Sequence, residues 1–455
     1  MIDPPLWLIL LPLGAAVPVY LLRGWRFGGY LAALVSAFTG ILAAILPPTH
    51  PLHLMGRVFL LDPLTQFTLA IYLLASAWLF VAGQSLRLGR HFLPLGLCIA
   101  GLFAIAAMSR HLAISSLVMT LAAIAAVPVI QDERPDSVRG AWRFLVTIGL
   151  ALPFFLLAAW HIDVYRENAE HTMYLPQAAI LLAMGFALWL FAFPIYSVLT
   201  TLGSSSSLSG ALVLIGFPMM VLTLLNHLLA EATWFGWWEQ SGQILLLIGL
   251  ASAALGGMFT AIQRTLRAML GYAALFDLGC LLIALAVQGT RGAVVLYASL
   301  VTRALGLMLL GIATETLLKG SDGDSLINIR GVGRRQPLAA IALTIGGFSI
   351  AGTPLAAGFA GRWLLLHDLA QVDERWAWLV LLAGLGVVLA YLRALFALLQ
   401  ADETGAHVLP SAPVPITSGF VLLILSLAAV SLSIFPSPIL RIASTLVTLY
   451  PLPRL

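Results

Sequence analysis

Long apolar runs separated by short polar breaks recur from one end of this chain to the other. A helix needs roughly 20 such residues to cross a hydrocarbon core of about 30 Å. The pattern predicts about fourteen spans, near 5–22, 28–46, 64–82, 92–109, 112–130, 142–160, 178–198, 206–229, 243–262, 268–287, 291–318, 337–370, 376–399 and 418–440. The fold class expected is all-α, a polytopic integral membrane protein. The longest links, around 131–141, 161–177, 319–336 and 400–417, leave no room for a soluble domain.

Composition agrees with the periodicity. Of 455 residues, 61% are hydrophobic and only 9% are charged, more apolar surface than a soluble fold can hide. The first residues, MIDPPLWLIL, lack a basic leader region and a small-residue cleavage site, and read as the first span. Cys98 and Cys280 sit far apart in apolar runs, which excludes a disulfide framework and a cysteine metal cluster. A dispersed net charge of +4 gives no basis for nucleic-acid binding. There is no phosphate loop, CxxC, HExxH, nucleophile elbow or dinucleotide fingerprint, so neither redox catalysis nor a cofactor is expected in this chain.

Charge also sets an expected orientation. Odd-numbered loops hold Arg23, Arg26, Arg87, Arg90, Arg134, Arg139, Arg143, Arg264, Arg267, Lys319, Arg330, Arg334 and Arg335; even-numbered loops hold Arg57, Arg110, Arg166, Arg291 and Arg375. Positive loops stay cytoplasmic, so both termini are expected outside. Trp160, Trp237, Trp238 and Trp376 fall near span ends and read as interfacial anchors.

Two spans are interrupted. LWLFAFPIYSVLTTLGSSSSLSG (188–210) carries Pro194, and FSIAGTPLAAGFAGRW (348–363) carries Gly352, Pro354 and Gly358. Proline removes a helical hydrogen bond, and irregular backbone is tolerated at membrane depth only inside protein or beside water. The breaks lie five spans apart. That spacing predicts two inverted five-helix repeats: residues 92–229 (spans 4–8) and 243–399 (spans 9–13), preceded by three helices in 1–91 and followed by a last helix in 400–455.

These stretches resemble the antiporter-like membrane subunits of respiratory complex I and of Mrp antiporters. GVGRRQPLAAIALTIGGFSIAGTPLAAGFAGRWLLL (331–366) is similar to the family signature around its broken twelfth helix. AIQRTLRAMLGYAALFDLG (261–279), LLDPLTQF (60–67) and AYLRALFALL (390–399) match further elements in the same order. LINIRGVGRR and Gly306 resemble the N-type subunit of NADH:quinone oxidoreductase. The resemblance implies a membrane-arm subunit that moves protons along a hydrophilic axis. It implies partners: other antiporter-like and small helical subunits, with quinone, flavin and iron–sulfur clusters held only in those partners. Family members place a glutamate in the fifth helix, a lysine in the broken seventh, a lysine or histidine in the eighth, and a lysine or glutamate in the broken twelfth.

Several of these positions have changed. The fifth-helix glutamate maps to Thr120, the seventh-helix lysine to Trp189 and the eighth-helix lysine to Leu214 (or Val213). No ionisable side chain of the Asp, Glu, Lys, Arg or His kind lies between Thr172 and Asn226. The second repeat keeps charge: Arg362 at the twelfth-helix lysine, Arg267 entering the tenth helix, Tyr272 and Asp277 within it, and Arg303 and Glu315 in the eleventh. These are the candidates for a proton or ion path. Arginine does not release its proton in proteins, and Lys319 is the only lysine, so a lysine relay is excluded. Asp277 is the expected titrating group. Arg362 is open to two roles, a static bridge to Asp277 or Glu315, or organising water. Arg267 has a bland reading as a loop anchor, Glu315 as a side chain reaching the interface, and His111, His227 and His367 as interfacial. GSSSSLSG (203–210) reads as a small-residue packing face or the lining of a water wire.

The function expected is therefore a membrane-arm subunit of a redox-driven translocase, with a degenerate first half-channel and any ion flow in the second half. A non-pumping structural subunit, or a component of a cation/proton antiporter or inorganic-carbon transporter, stands as the alternative.

Overall fold

In hydrocarbon every backbone N–H and C=O must find a partner within the protein, which makes the helix the element available to an open chain. The computed structural model describes residues 4–22, 27–47, 51–54, 57–131, 138–167, 173–205, 207–231, 240–287, 290–400 and 415–449. Among them the chain opens with a short 3-10 turn (Pro4–Leu6), then α1 (Trp7–Leu21) and α2 (Gly28–Ile45). A hairpin of β1 (Leu52–Leu54) and β2 (Arg57–Phe59) follows. Next come α3 (Pro63–Ser85), α4 (Phe92–Met108), α5 (Leu112–Gln131), α6 (Val138–Glu167), α7 (Tyr174–Leu190), α8 (Ser197–Ser205) and α9 (Ser207–Glu231). The second half holds α10 (Gln240–Ile262), α11 (Leu266–Ala286), α12 (Thr290–Leu318), α13 (Val332–Arg335), α14 (Pro337–Ala351), α15 (Phe359–Val372) and α16 (Glu374–Leu399). The last helices are α17 (Ile416–Ile434) and α18 (Ser437–Leu449).

Eleven helices among the described residues are long and apolar enough to cross a membrane, and α4, α7, α14 and α18 are shorter apolar helices. The protein is a multi-pass helical membrane protein. Trp237, Trp238, Arg23, Arg26 and Arg134 lie outside the described residues.

Three features depart from the expected pattern. The first is the hairpin, whose strands pair antiparallel with Leu52 opposite Phe59. It holds the link between α4 and α5 in place: Leu60 N–H donates to the Met108 carbonyl at 2.8 Å and Arg110 N–H to the Val58 carbonyl at 3.2 Å. The second is the expected last span at 418–440. It divides into α17 and α18 at Phe435–Pro436, where proline cannot continue the hydrogen-bond ladder. Ala443, Leu446 and Val447 of α18 are buried, and the helix packs on α12 and α3. The third concerns the breaks. Both begin before their prolines: α7 stops at Phe191, with a left-handed φ of 51°, and α14 stops at Gly352, with φ of 77°. Pro194 and Pro354 are exposed on the outside of the two breaks.

Local chemistry explains the entry to α3. In LLDPLTQF the Asp62 side chain accepts the Thr65 N–H at 3.0 Å, and Pro63 occupies the first turn where no N–H is needed. The centre of the bundle is α9, whose apolar window is buried throughout. It packs against α3, α4, α5, α7, α8, α11 and α12.

The GSSSSLSG stretch spans the junction of α8 and α9, and its glycines pack as small-residue contacts. A Cβ at Gly203 would stand 2.4 Å from the Gly271 Cα of α11, so the two backbones touch. Gly203→Val would force α8 away from α11. Overpacking of this kind costs about 1–3 kcal/mol, and the detergent-solubilised variant is expected to show a lower melting temperature than the wild type.

Candidate functional site

The charged residues of the second half converge on one point. Asp277 of α11 is 4% exposed, Arg303 of α12 is 1% exposed and Arg362 of α15 is 8% exposed. Arg303 Nη1 donates to Asp277 Oδ2 at 2.6 Å, and Arg362 Nη2 donates to Asp277 Oδ1 at 2.9 Å. One carboxylate thus stands between two guanidinium groups. The surplus positive charge is met by carbonyls. Arg303 also donates to Ala274 O at 3.3 Å and to Leu214 O at 3.0 Å, and Arg362 to Ile350 O at 2.9 Å. The Phe276 ring lies under the Arg362 guanidinium, 5.0 Å from its centroid.

The break between α14 and α15 makes this geometry possible. A continuous helix would tie the Ile350 carbonyl to the N–H four residues on. That residue is Pro354, which has none. Gly352 reverses the chain, and a Cβ there would meet the Arg362 Cβ at 2.4 Å. Only glycine satisfies both the positive φ and the approach of the arginine.

A second charged node lies about 18 Å further along α12, by a helical rise of 1.5 Å per residue. Glu315 is 3% exposed. The Ser207 hydroxyl, at the start of α9, donates to Glu315 Oε2 at 2.5 Å, and Arg267 Nη2 stands 3.7 Å away. Glu315 is therefore held inside the bundle, against the interfacial reading; the pairing with Arg267 offsets the cost of burying both charges. Just beyond α12, the Lys319 ammonium donates to the Leu86 carbonyl at the end of α3. Burial pushes its pKa down, with the Glu315 carboxylate opposing and Arg87 adding to the shift.

The remaining candidates lie apart from these nodes. Tyr272 turns its ring to Phe259 of α10, with centroids 5.4 Å apart. Thr120 donates to the Ser116 carbonyl of its own helix at 2.9 Å. Trp189 is buried against Phe155, centroids 4.2 Å apart, and its indole N–H donates to Ile148 O at 3.3 Å. Leu214 is buried, but its carbonyl is the one that holds Arg303. His367 is exposed, while its neighbour Asp368 lies 3.8 Å from Arg291.

Sequence reasoning missed Ser207 as the partner of Glu315. It also read His227 as interfacial. The structure buries His227 and sets it against Asp62 at 3.1 Å. The capping pattern at Asp62 is visible in the sequence, but a partner 165 residues away is not. Among the described residues no group of His, Cys, Asp and Glu side chains has the arrangement of a metal site.

Residues 205–390 match the family model described as NADH:quinone oxidoreductase/Mrp antiporter, TM. NADH-quinone oxidoreductase subunit N of Ectopseudomonas mendocina is 32% identical over 222 residues, 47% of this chain and 44% of that protein. The matched segment therefore spans less than half the length of that relative. A chain of the Mrp complex from Dietzia sp. superposes with a TM-score of 0.84 at 14% identity, covering 99% of this chain and 98% of that one. A chain of the membrane-bound sulfane sulfur reductase, an archaeal respiratory membrane complex, gives a TM-score of 0.83 at 16% identity over 98% and 97%. At these identities the structural likenesses show the fold.

Removing the central carboxylate leaves two buried guanidinium groups without a counter-charge. Asp277→Asn is expected to destabilise the protein by about 3–5 kcal/mol. Arg303→Met leaves Asp277 paired with Arg362 and should cost less. Thermal unfolding of the two purified variants in the same detergent gives the order.

Proposed function

We propose that this chain, whose residues 205–390 match the NADH:quinone oxidoreductase/Mrp antiporter transmembrane family, is a membrane-arm subunit of a complex I-like, redox-driven proton-translocating oxidoreductase. Its neighbours would be antiporter-like and small helical subunits. Quinone, flavin and iron–sulfur chemistry would belong to partner subunits. The chain would lie in the cell membrane with its odd-numbered loops in the cytoplasm and both termini outside.

In this reading the two breaks belong to inverted five-helix units, residues 92–229 and 243–399. The first unit is degenerate as a conduit. Thr120, Trp189 and Leu214 offer a path no titratable group, and Trp189 is packed against Phe155. The second unit carries the polar axis.

The observation that carries the reading is the contrast between the two buried carboxylates. Protonating Asp277 would leave two guanidinium groups, at 2.6 and 2.9 Å, facing each other across a neutral acid. Protonating Glu315 would disturb a looser pairing, with Arg267 at 3.7 Å and the Ser207 hydroxyl still within hydrogen-bond reach. Proton cycling is therefore assigned to Glu315, with Asp277, Arg303 and Arg362 as a fixed charged centre that biases it. The same clamp favours a second reading, a structural subunit that packs beside active neighbours without conducting.

Proton-to-electron stoichiometry of the intact complex in sealed vesicles separates the two. Glu315→Gln keeps a hydrogen-bonding side chain beside Ser207 and should lower the stoichiometry with electron transfer retained. Trp189→Phe, at a position packed against Phe155 and away from both charged nodes, should leave it unchanged. Unaltered pumping in Glu315→Gln would support the structural subunit, and isolation with cation-antiporter subunits alone would sink the redox-linked reading.

A further inference from the structure

A cavity of about 240 Å³ opens at the end of the bundle opposite Glu315. Its floor is formed by Arg110 and His227, its rim by His111, Asp163 and Arg166. The Asp163 side chain is 45% exposed, so the cavity reaches the surface, while the His227 side chain is 7% exposed. We propose that His227, backed by Asp62 and Arg110, is the site where protons exchange between this protein and the non-cytoplasmic medium. The assignment of that face rests on the translocating-subunit reading above.

The geometry selects the proton over other ions. Asp62 Oδ2 is 3.1 Å from Arg110 Nη2 and 3.1 Å from His227 Nε2. Both partners meet Oδ2 and the Thr65 N–H occupies Oδ1, so neither carboxylate oxygen is left open to a metal cation. Arg110 in turn is neutralised by Asp62, so the floor does not demand an anion. What remains is the imidazole, a side chain that can both take up and give up a proton. A cavity of this size has room for several waters.

The step is simple and balanced. Neutral His227 donates its Nε2–H to the Asp62 carboxylate, which directs protonation to Nδ1. A hydronium ion in the cavity gives its proton to Nδ1 and becomes water; imidazole becomes imidazolium beside Asp62. The reverse step releases the proton outward. Asp62 is rigidly placed, because it also caps α3 through Thr65. α9 connects the site to the charged centre, since Leu214 holds Arg303 about 20 Å away along the same helix.

Other ionisable groups near the site are accounted for. His111 pairs with Asp163 at 3.5 Å. Burial lowers its pKa, as do Arg57 and Arg166, with Asp163 opposing. Tyr165 lines the wall. On α12, Arg291 is turned to Asp368 at 3.8 Å, and Tyr297 packs edge-on against Phe67 of α3. Burial alone would raise the Asp62 carboxyl, but hydrogen bonding and charge from His227, together with Arg110 and Thr65, hold it well below the usual range. With a depressed pKa, the stabilisation from Asp62 is complete above the ordinary carboxylate range and is lost only in strong acid. A pH response near neutrality therefore cannot come from Asp62.

Two measurements test this on the intact complex in sealed vesicles with the non-cytoplasmic face outward. In a Cys98→Ala background, Leu228→Cys on the cavity wall should react with an impermeant methanethiosulfonate reagent, as should Arg166→Cys at the rim. Labelling of the rim alone means a dry cavity and overturns the proposal. His227→Gln retains a hydrogen bond to Asp62. It should shift the pH midpoint of proton translocation by at least about one unit, a tenfold change in proton affinity, with electron-transfer rate preserved; superimposable pH profiles would also overturn it. Should His227→Gln fail to assemble, Ala159→Leu, which fills the cavity from α6, must produce the same shift. If the wild-type complex translocates no protons, the subunit reading fails. An imidazole band in the infrared pH titration that is absent in His227→Gln would still establish exchange at the site, and its absence would refute it.

Discussion

Three charged side chains meet where hydrocarbon surrounds the protein, and the second half of the fold is arranged to permit it. Asp277 alone would be too costly to bury, and neither Arg303 nor Arg362 would be tolerated without it. One carboxylate between two guanidinium groups still leaves a positive surplus, and the Ala274, Leu214 and Ile350 carbonyls complete the shell. The Ile350 carbonyl is available because Pro354 has no N–H to claim it. The helix break and the buried arginine thus explain each other. Arg362 is held by what the break exposes, and Gly352 provides the close passage that the arginine requires.

This centre also connects the two halves of the molecule. Arg303 reaches from α12 across to the carbonyl of Leu214 on α9. The resemblance implies a lysine at position 214, and the chain has a leucine there. Its backbone still meets a cation, supplied from a neighbouring helix. The contact between Leu214 and Arg303, 89 positions apart, is set by the packing of α9 against α12. The bundle ends differ accordingly. Glu315 with Arg267 and Ser207 is paired inside one end, and the Asp62–His227–Arg110 group closes the other beneath a cavity.

Much of the helical framework was legible in the chain because burial in lipid leaves few alternatives. Apolar run length located the spans, and the interruptions near Pro194 and Pro354 marked the breaks. The errors are local and physical. Pro194 and Pro354 drew attention as the breaking residues, yet the chain turns earlier, at Phe191 and Gly352, through left-handed backbone. The last span was read as one because its apolar run continues past Pro436, while the backbone turns there and lays α18 against α12. The hairpin at Leu52–Phe59 is too short and too weakly alternating to stand out.

Sequence by itself determined that this chain is a helical membrane protein, that its helices break twice, that lysine chemistry is absent from its spans, and which charged residues its second half contains. Periodicity and composition are local, and the bilayer imposes them residue by residue. Tertiary structure decided the pairings: Asp277 with both arginines, Glu315 with Ser207 and Arg267, and His227 with Asp62. Those contacts join residues 26 to 165 positions apart. The energy of a buried charge depends on what lies within a few ångströms of it, and only the folded chain sets that distance.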